Sequence, residues 1–466
     1  MKIRTALRIF LYLILFLCLP VIIHGTETNS LTLKDAITRA LNNNKGIAAA
    51  REKVREAEAG KIIAQAKFFP SLSLSASYTR LAEAPGMEFA FPVFGTLRLP
   101  VFDPLGNPTG DYVIAPGITG FETYTYSMGS ENIYTLRTSF QYPLFTWWKI
   151  SNAYKIALLN LELAKEDLKK KENELVLAVT ESFLQVQLAK KGLELALESR
   201  EQLSRHVKQA EDLYNAGKIS RFDFLRTKVQ LASINVQVLQ SENALLLAKD
   251  MLKNLLDMNL ESNIDVSDEI EYSTCTLSLN EAMEFALKNR PEIKAMDITV
   301  KIAEKSLAIA KAGNKPNLVL AGNYDYKNPD SSGKEQWGTD WSIILSVNIP
   351  LFQGGENIGK VKQAEAQLRQ AELGLEQLIK GINTEVRNAF LQMHSSQSLL
   401  VSQQENIMEA EEALKIAESR YAAGLITNLE YLDAQIALNR AKIDYLKTLI
   451  NYLIAEARLK KATGQQ

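Results

Sequence analysis

The chain is 466 residues long, 46% hydrophobic and 23% charged, with 53 basic against 54 acidic residues. That balance gives no nucleic-acid surface and is too charged for a polytopic helical membrane protein, while the apolar share is too high for a disordered chain. Two cysteines exclude a disulfide scaffold and a multi-cysteine zinc module.

The first residues read as a secretory signal: Lys2, Arg4 and Arg8 precede an uncharged run from Ile9 to Ile23, and Gly25 is a small residue before cleavage. The run falls short of the ~20 residues a bilayer-spanning helix needs, so residues 1–25 are taken as a signal peptide that is removed, Cys18 with it. The mature chain keeps Cys275, read as an inert thiol.

A short helical start at Leu31-Thr-Leu-Lys-Asp-Ala leads into a helix over Lys45–Phe68. Pro70 then opens a strand, Ser71–Arg80, with Leu72, Leu74, Ala76 and Tyr78 on one face and Ser71, Ser73, Ser75, Ser77 and Thr79 on the other. Residues 81–131 hold six of the 13 prolines (Pro85, Pro92, Pro100, Pro104, Pro108 and Pro116) and are expected to form one long loop. A return strand alternates Tyr134, Leu136, Thr138, Phe140 and Tyr142 with Thr135, Arg137, Ser139 and Gln141, and closes at Pro143. No proline lies between Leu144 and Arg290. A helix from about Ile150 to Tyr214 therefore runs unbroken for ~98 Å at 1.5 Å per residue. A Gly-centred turn, Tyr214–Ser220, and a helix over Phe222–Met258 follow.

The same plan is then written again. At an offset of 246, Leu277-Ser-Leu-Asn-Glu-Ala repeats the helical start, Pro316 repeats Pro70 and Tyr324 repeats Tyr78. At an offset of 207, Pro350-Leu-Phe repeats Pro143-Leu-Phe, and Tyr421-Ala-Ala-Gly-Leu-Ile-Thr427 repeats the first turn. The 39-residue excess of the first half is the proline cluster. The sequence thus divides into a first repeat, 26–270, with a β-hairpin at 71–143, and a second, 271–466, with a β-hairpin at 317–350. In the second, Leu318, Leu320, Tyr324 and Tyr326 mark one strand, while Trp341, Ile343, Leu345, Val347 and Ile349 alternate with Asp340, Ser342, Ser346 and Asn348 in the other.

Strands of about ten residues, polar on one face and apolar on the other, with aromatics near their ends, are the pattern of an outer-membrane barrel. Four strands cannot close one, and an open edge is not tolerated in lipid, so copies must combine. Two would reach the usual minimum of about eight strands and three would give about twelve. The fold class is mainly α with β: long coiled-coil-like helical rods plus four transmembrane strands per protomer.

The two Leu-x-Leu-x-x-Ala starts, the two Pro-Leu-Phe strand ends, Gly354-Gly355 and the two Tyr-x-Ala-Gly-x-x-Ser/Thr turns together resemble the TolC family of outer-membrane efflux and secretion proteins, from about Leu31 to Thr463. The resemblance implies a homotrimer, a shared 12-stranded barrel set in outer-membrane lipid and a helical tunnel crossing the periplasm. It implies a passive exit duct, without catalysis or cofactor, fed by an inner-membrane RND, ABC or MFS transporter through a periplasmic adaptor. The competing reading is a non-transporting periplasmic rod tethered to the outer membrane; the serine face of Ser71–Ser77 suits a water-filled lumen, which a tether does not need.

By the same resemblance the two turns are hairpin tips at the periplasmic end. Tyr214, Gly217, Ser220, Tyr421, Gly424 and Thr427 are the expected adaptor contacts, with Gly217 and Gly424 permitting the reversal. Glu430 and Asp433, three apart and so on one helical face, and Asp223, the repeat partner of Glu430, are the expected cation-selective aperture. Where family members carry an arginine that locks the closed aperture, this chain has Ile426, leaving Lys218 or Arg221 as candidate partners for Asp223. In this orientation the 81–131 segment faces outward and is expected to fold over the barrel mouth as a lid.

Pro143, Pro350, Gly354 and Gly355 mark the strand–helix junctions, where the first half has Thr146-Trp147-Trp148 in place of Gln353-Gly354-Gly355. The tryptophans suit either the inner lipid interface or packing within the junction. Gly354-Gly-Glu-Asn-Ile-Gly-Lys360 has the glycine and lysine spacing of a phosphate loop, but Val361 stands where a magnesium-binding hydroxyl belongs, so the glycines are assigned to the swivel from strand to helix. His206 and His394 lie in helical tracts without ligand spacing and are read as polar helix positions; no metal site or nucleophile motif is expected.

Overall fold

The computed structural model describes residues 30–127, 129–267 and 277–465. The signal peptide, Cys275 and the repeat boundary at 270/271 lie outside them.

The first half runs α1 (Leu33–Asn43), α2 (Lys45–Ala66), β1 (Ser71–Arg80), β2 (Gly86–Phe102), β3 (Pro108–Ser127), β4 (Asn132–Phe145), α3 (Lys149–Asn215) and α4 (Arg221–Leu255). The second runs α5 (Leu279–Asn289), α6 (Pro291–Lys311), β5 (Asn317–Asn328), β6 (Gly338–Asn348), α7 (Glu356–Ala422) and α8 (Asn428–Thr463). Apart from β2 and β3 the order is the same. Among the described residues no helix is long and apolar enough to cross a membrane.

Two compact units result, and each draws on both halves. One comprises Met1–Glu52, Glu166–Lys294 and Gln377–Gln466; the other comprises Lys53–Lys165 and Ala295–Glu376. The first unit is helical and its core is built twice. One cluster gathers Ala36, Ala40, Leu175, Val179 and Val186; the other gathers Ala282, Ala286, Ile382, Val386 and Met393. These are the same positions at the offsets of 246 and 207, so the duplication is one of packing as well as sequence. The helix starts repeat too. Thr32 and Ser278 accept a backbone N–H from Asp35 and Glu281, as Ser220 and Thr427 do from Asp223 and Glu430, satisfying groups that a helix start leaves free.

The second unit holds a four-stranded antiparallel sheet in the order β1-β4-β5-β6. Its register puts Ser71, Ser73, Ser75 and Ser77 opposite Gln141, Ser139, Arg137 and Thr135, so the polar faces expected for the two strands coincide. Pro143 sits at a register irregularity two residues before β4 ends, and Pro350 lies just past β6. Gly322 is needed where it stands: a Cβ there would fall on the ring of Phe140, which lies across it from β4.

One expectation is corrected. Residues 81–131 are not a loop but chiefly a second sheet, the two-stranded ribbon β2–β3, paired from Gly86↔Ser127 to Phe102↔Pro108. Its tip is an Asp-turn: Asp103 Oδ1 accepts from the N–H groups of Leu105 and Asn107, each at 2.9 Å.

Candidate functional site

The polar face of the sheet is continuous across all four strands. Ser75, Arg137, Asp325 and Asp340 form one rung. In it Arg137 donates to both oxygens of Asp325, Nε to Oδ1 at 2.7 Å and Nη2 to Oδ2 at 2.8 Å. A bidentate pair of this kind holds adjacent strands in register while leaving the charges in reach of water. The rung below is Ser73, Ser139, Asn323 and Ser342. The opposite face carries Leu72, Leu74, Trp341, Ile343 and Leu345, all well exposed.

Aromatic rings gather at both ends of this apolar face. At one end Tyr78 and Tyr134 lie 5.0 Å apart between centroids, and Tyr326 stacks on Trp337 at 4.7 Å. At the other, Phe145, Trp147 and Trp148 form a cluster with centroid separations of 5.3–6.1 Å. Aromatic girdles at both ends are what a membrane-crossing strand carries at its interfaces. The two tryptophans differ in burial. Trp147 is half-buried in the junction with Lys315 Nζ 5.5 Å from its ring centroid, whereas Trp148 is 61% exposed. Both sit at positive φ, 50° and 59°, where Gly354 and Gly355 have 59° and 88°. The glycine pair is thus a reversal, and Lys360 is engaged with Glu356 at 2.6 Å one helical turn away rather than turned to a phosphate.

The two hairpin tips have one geometry. Gly217 and Gly424 lie at φ 70° and 71°. Lys218 N donates to Leu213 O at 2.8 Å and Leu425 N donates to Arg420 O at 2.9 Å, the long bond that ends a helix at a left-handed glycine. Tyr214 stacks on Phe224 at 5.4 Å. Tyr421 stacks on Tyr431 at 5.3 Å.

Of the carboxylates, Glu430 is occupied locally. Its Oε2 accepts from Thr427 N at 2.7 Å and Thr427 Oγ1 at 2.8 Å, and these bonds hold its carboxyl below the usual carboxylate range. Asp223 Oδ2 likewise accepts from Ser220 Oγ at 2.6 Å. Asp433 is exposed one turn beyond. Neither Lys218 nor Arg221 forms an ion pair with Asp223 among the described residues.

What joins the first tip to the second is a group that sequence reasoning missed. His206 was expected at a polar helix position, but it is only 3% exposed; its Nε2 lies 2.7 Å from Asn428 Oδ1. The Asn428 amide donates to Thr227 Oγ1 at 2.9 Å and to the Asp223 carbonyl at 3.3 Å. Those acceptors fix the amide with Oδ1 toward the imidazole, so Nε2 carries the proton. The ring lies 4.5 Å from that of Tyr431 and 5.4 Å from that of Tyr421. Burial, opposed by the Asn428 hydrogen bond, pushes His206 below its ordinary value. The partners are more than 200 residues away, so no local motif marks them. His394 is exposed, as expected. Arg290 was also missed: 3% exposed, it bonds Glu292 and Glu385, with Nη1 2.6 Å from Glu385 Oε2.

The family model described as "Outer membrane efflux protein" matches residues 36–257 and 282–465. Outer membrane protein TolC of Vibrio cholerae is 24% identical over 298 residues, 62% of this chain and 67% of that protein. Alkaline protease secretion protein AprF of Pseudomonas aeruginosa is 24% identical over 339 residues, 71% and 69% of the two chains. The crystal structure of CusC, at 20% identity, superposes with a TM-score of 0.75 over 94% of this chain and 93% of its own, a likeness of fold. With a polar-faced sheet between aromatic girdles and a family match over most of its length, the chain belongs to the outer membrane efflux protein family, the TolC-type channels of the outer membrane and periplasm, which conduct and do not catalyse.

Proposed function

We propose that this chain is the passive exit duct of an efflux or type I secretion machine, closed by three copies into a 12-stranded barrel and fed by an inner-membrane pump through a periplasmic adaptor. The observation that carries the reading is the sheet itself. β1 and β6 are edge strands of the four-stranded sheet, one face is a ladder of Ser, Arg, Asp and Asn side chains, and the other is apolar. A membrane sheet of that kind is stable only when its edges meet other copies, and the polar ladder then faces water inside. A tether has no use for such a ladder, which disfavours the rod.

The hairpin tips around Gly217 and Gly424 are the surfaces offered to the adaptor, with Tyr214, Ser220, Tyr421 and Thr427 beside them. Asp433, Glu430 and Asp223 line the aperture, where like charges favour cations. The test is single-channel recording in a planar bilayer with wild type and with Glu430→Gln combined with Asp433→Asn. Glutamine still serves the Thr427 cap, so the helix start survives. The expected result is a discrete cation-preferring conductance whose preference falls in the double variant. No conductance under any opening condition sinks the duct, and an unchanged ion preference removes the carboxylates from the aperture.

A further inference from the structure

Helices α3 and α8 run antiparallel, with Leu184 beside Ile450 at one level and His206 beside Asn428 at another, and their seam changes character between the two. Away from the tips it is apolar: Leu184 of α3 packs with Ile450 and Ile454 of α8. Toward the tips it turns polar. The buried positions of α8 pass from Leu449, Ala441 and Leu438 to Gln435, Leu432 and Asn428. Gln435 and Asn428 are seven residues apart, the repeat that keeps a residue on one helical seam. Gln435 Nε2 donates to Gln202 Oε1 of α3 at 3.3 Å, and two turns nearer the tip Asn428 meets His206.

Asn428 is 4% exposed and stands at the first position of α8. Its one side chain engages both helices of the first hairpin. Oδ1 accepts from His206 in α3, while the amide donates to Thr227 Oγ1 and to the Asp223 carbonyl in α4. Thr227 is fully buried and passes its own proton to the same carbonyl at 2.9 Å. The start of α8, which carries Glu430 and Asp433, is thereby tied to α3 and α4 at once.

A polar group buried at a helix seam lowers stability relative to an apolar one, and its best-attested uses are to fix register and to serve as a switch. Parting the seam also costs different amounts along its length. At Leu184 and Ile450 it exposes hydrocarbon to water. At Asn428 it exchanges hydrogen bonds within the protein for hydrogen bonds to water, with a small net change. The seam therefore separates from the tip inward, and the part that moves first is the turn of α8 that bears the carboxylates.

We propose that the Asn428–His206–Thr227 network is a latch. Closed, it holds the start of α8 against the α3–α4 hairpin and keeps the aperture narrow; parted, it lets that start move and the aperture widen. This rests on the aperture reading above and adds the positioning residues that set its closed state. The test is single-channel recording, with thermal unfolding alongside, on full-length wild type and four variants. Asn428→Ala removes the shared side chain, and His206→Phe fills the ring volume without a donor. Both are expected to raise conductance several-fold. His206→Gln restores a donor to Asn428 and is expected to stay near wild type. Leu438→Ala cuts the apolar seam above the latch and is expected to lower the unfolding temperature without raising conductance. A wild-type conductance that Asn428→Ala and His206→Phe leave unchanged overturns the latch and leaves the duct standing. So does a Leu438→Ala or His206→Gln channel as leaky as His206→Phe. No conductance from wild type or any variant removes the duct reading itself.

Discussion

In the first half the chain passes from strand to helix through Trp147 and Trp148; in the second it makes the same left-handed passage through Gly354 and Gly355. The C-caps of α1 and α5 differ in the same way. Asn44 and Arg290 are repeat partners with the same extended backbone, ψ 127° in both. Asn44 makes a neutral bond to the Leu255 carbonyl at 3.1 Å, while Arg290 sits buried between two carboxylates. The duplication has kept backbone and apolar core and let the polar chemistry diverge. Equivalent positions are therefore internal controls for one another.

The largest difference is expected at the caps. Arg290→Ala leaves Glu292 and Glu385 without their shared buried cation, a change of about 3–5 kcal/mol for a buried pair broken on one side. Lys461, 3.0 Å from Glu385, offsets part of it. Asn44→Ala removes two neutral bonds, the one to Leu255 and one accepted from Gly46 N at 2.8 Å, and costs about 1–2 kcal/mol. Denaturant unfolding of the purified protein measures both, and equal losses would break the comparison. Burial works against ionisation of Glu292 and Glu385, but hydrogen bonds from Arg290 prevail and hold both below their ordinary value of 4.5. Their contribution is therefore present above pH 4.5 and is lost as acid takes the pH down through the folded values.

At the junctions the expected effect is smaller and of opposite sign in the two halves. Gly355→Ala places a Cβ at φ 88° and costs about 1–2 kcal/mol. Trp148→Gly relieves the same strain at a side chain that is largely exposed, and stability is expected to hold or rise by up to about 1 kcal/mol. A clear loss at Trp148 would mean that its contacts with Phe145 and Trp147 outweigh the backbone strain.

Much of this was legible in the sequence. The offsets of 246 and 207 pair the residues of the two cores, and the period-two alternation gives the faces of the four-stranded sheet, while its register came from the structure. The ribbon was not read, because Pro92, Gly95, Pro100, Pro116 and Gly117 punctuate it like a loop; yet Met87-Glu-Phe-Ala-Phe and Tyr124-Thr-Tyr around Asp103-Pro-Leu-Gly-Asn carried a hairpin signal. Thr427-x-x-Glu430 was legible as a capping box, and that is where the structure holds the Glu430 carboxylate, whatever it contributes to the aperture. The His206 network and the Arg290–Glu385 pair were invisible because their partners are brought close by helix packing alone.

The finest contrast is at the tips. His206 is in α3, and its repeat partner in α7 is Ala413, so the first half places an imidazole in this buried network where the second has a methyl group. Around it stand Asn428 and the rings of Tyr421 and Tyr431, with Arg205 and Glu418 acting on Tyr431 and Asp223 on Tyr421. Its folded value lies below the ordinary 6.5, so the unfolded chain binds the proton first. The network's contribution is therefore full above pH 6.5 and declines as the pH falls toward the folded value. Thermal unfolding of wild type and His206→Gln, which keeps a neutral donor for Asn428, tests this. The gap between them is expected to be widest at pH 7.5 and to narrow by pH 5.5. Parallel curves would show that the imidazole titrates without loading the network, leaving the tips alike in acid response despite their different side chains.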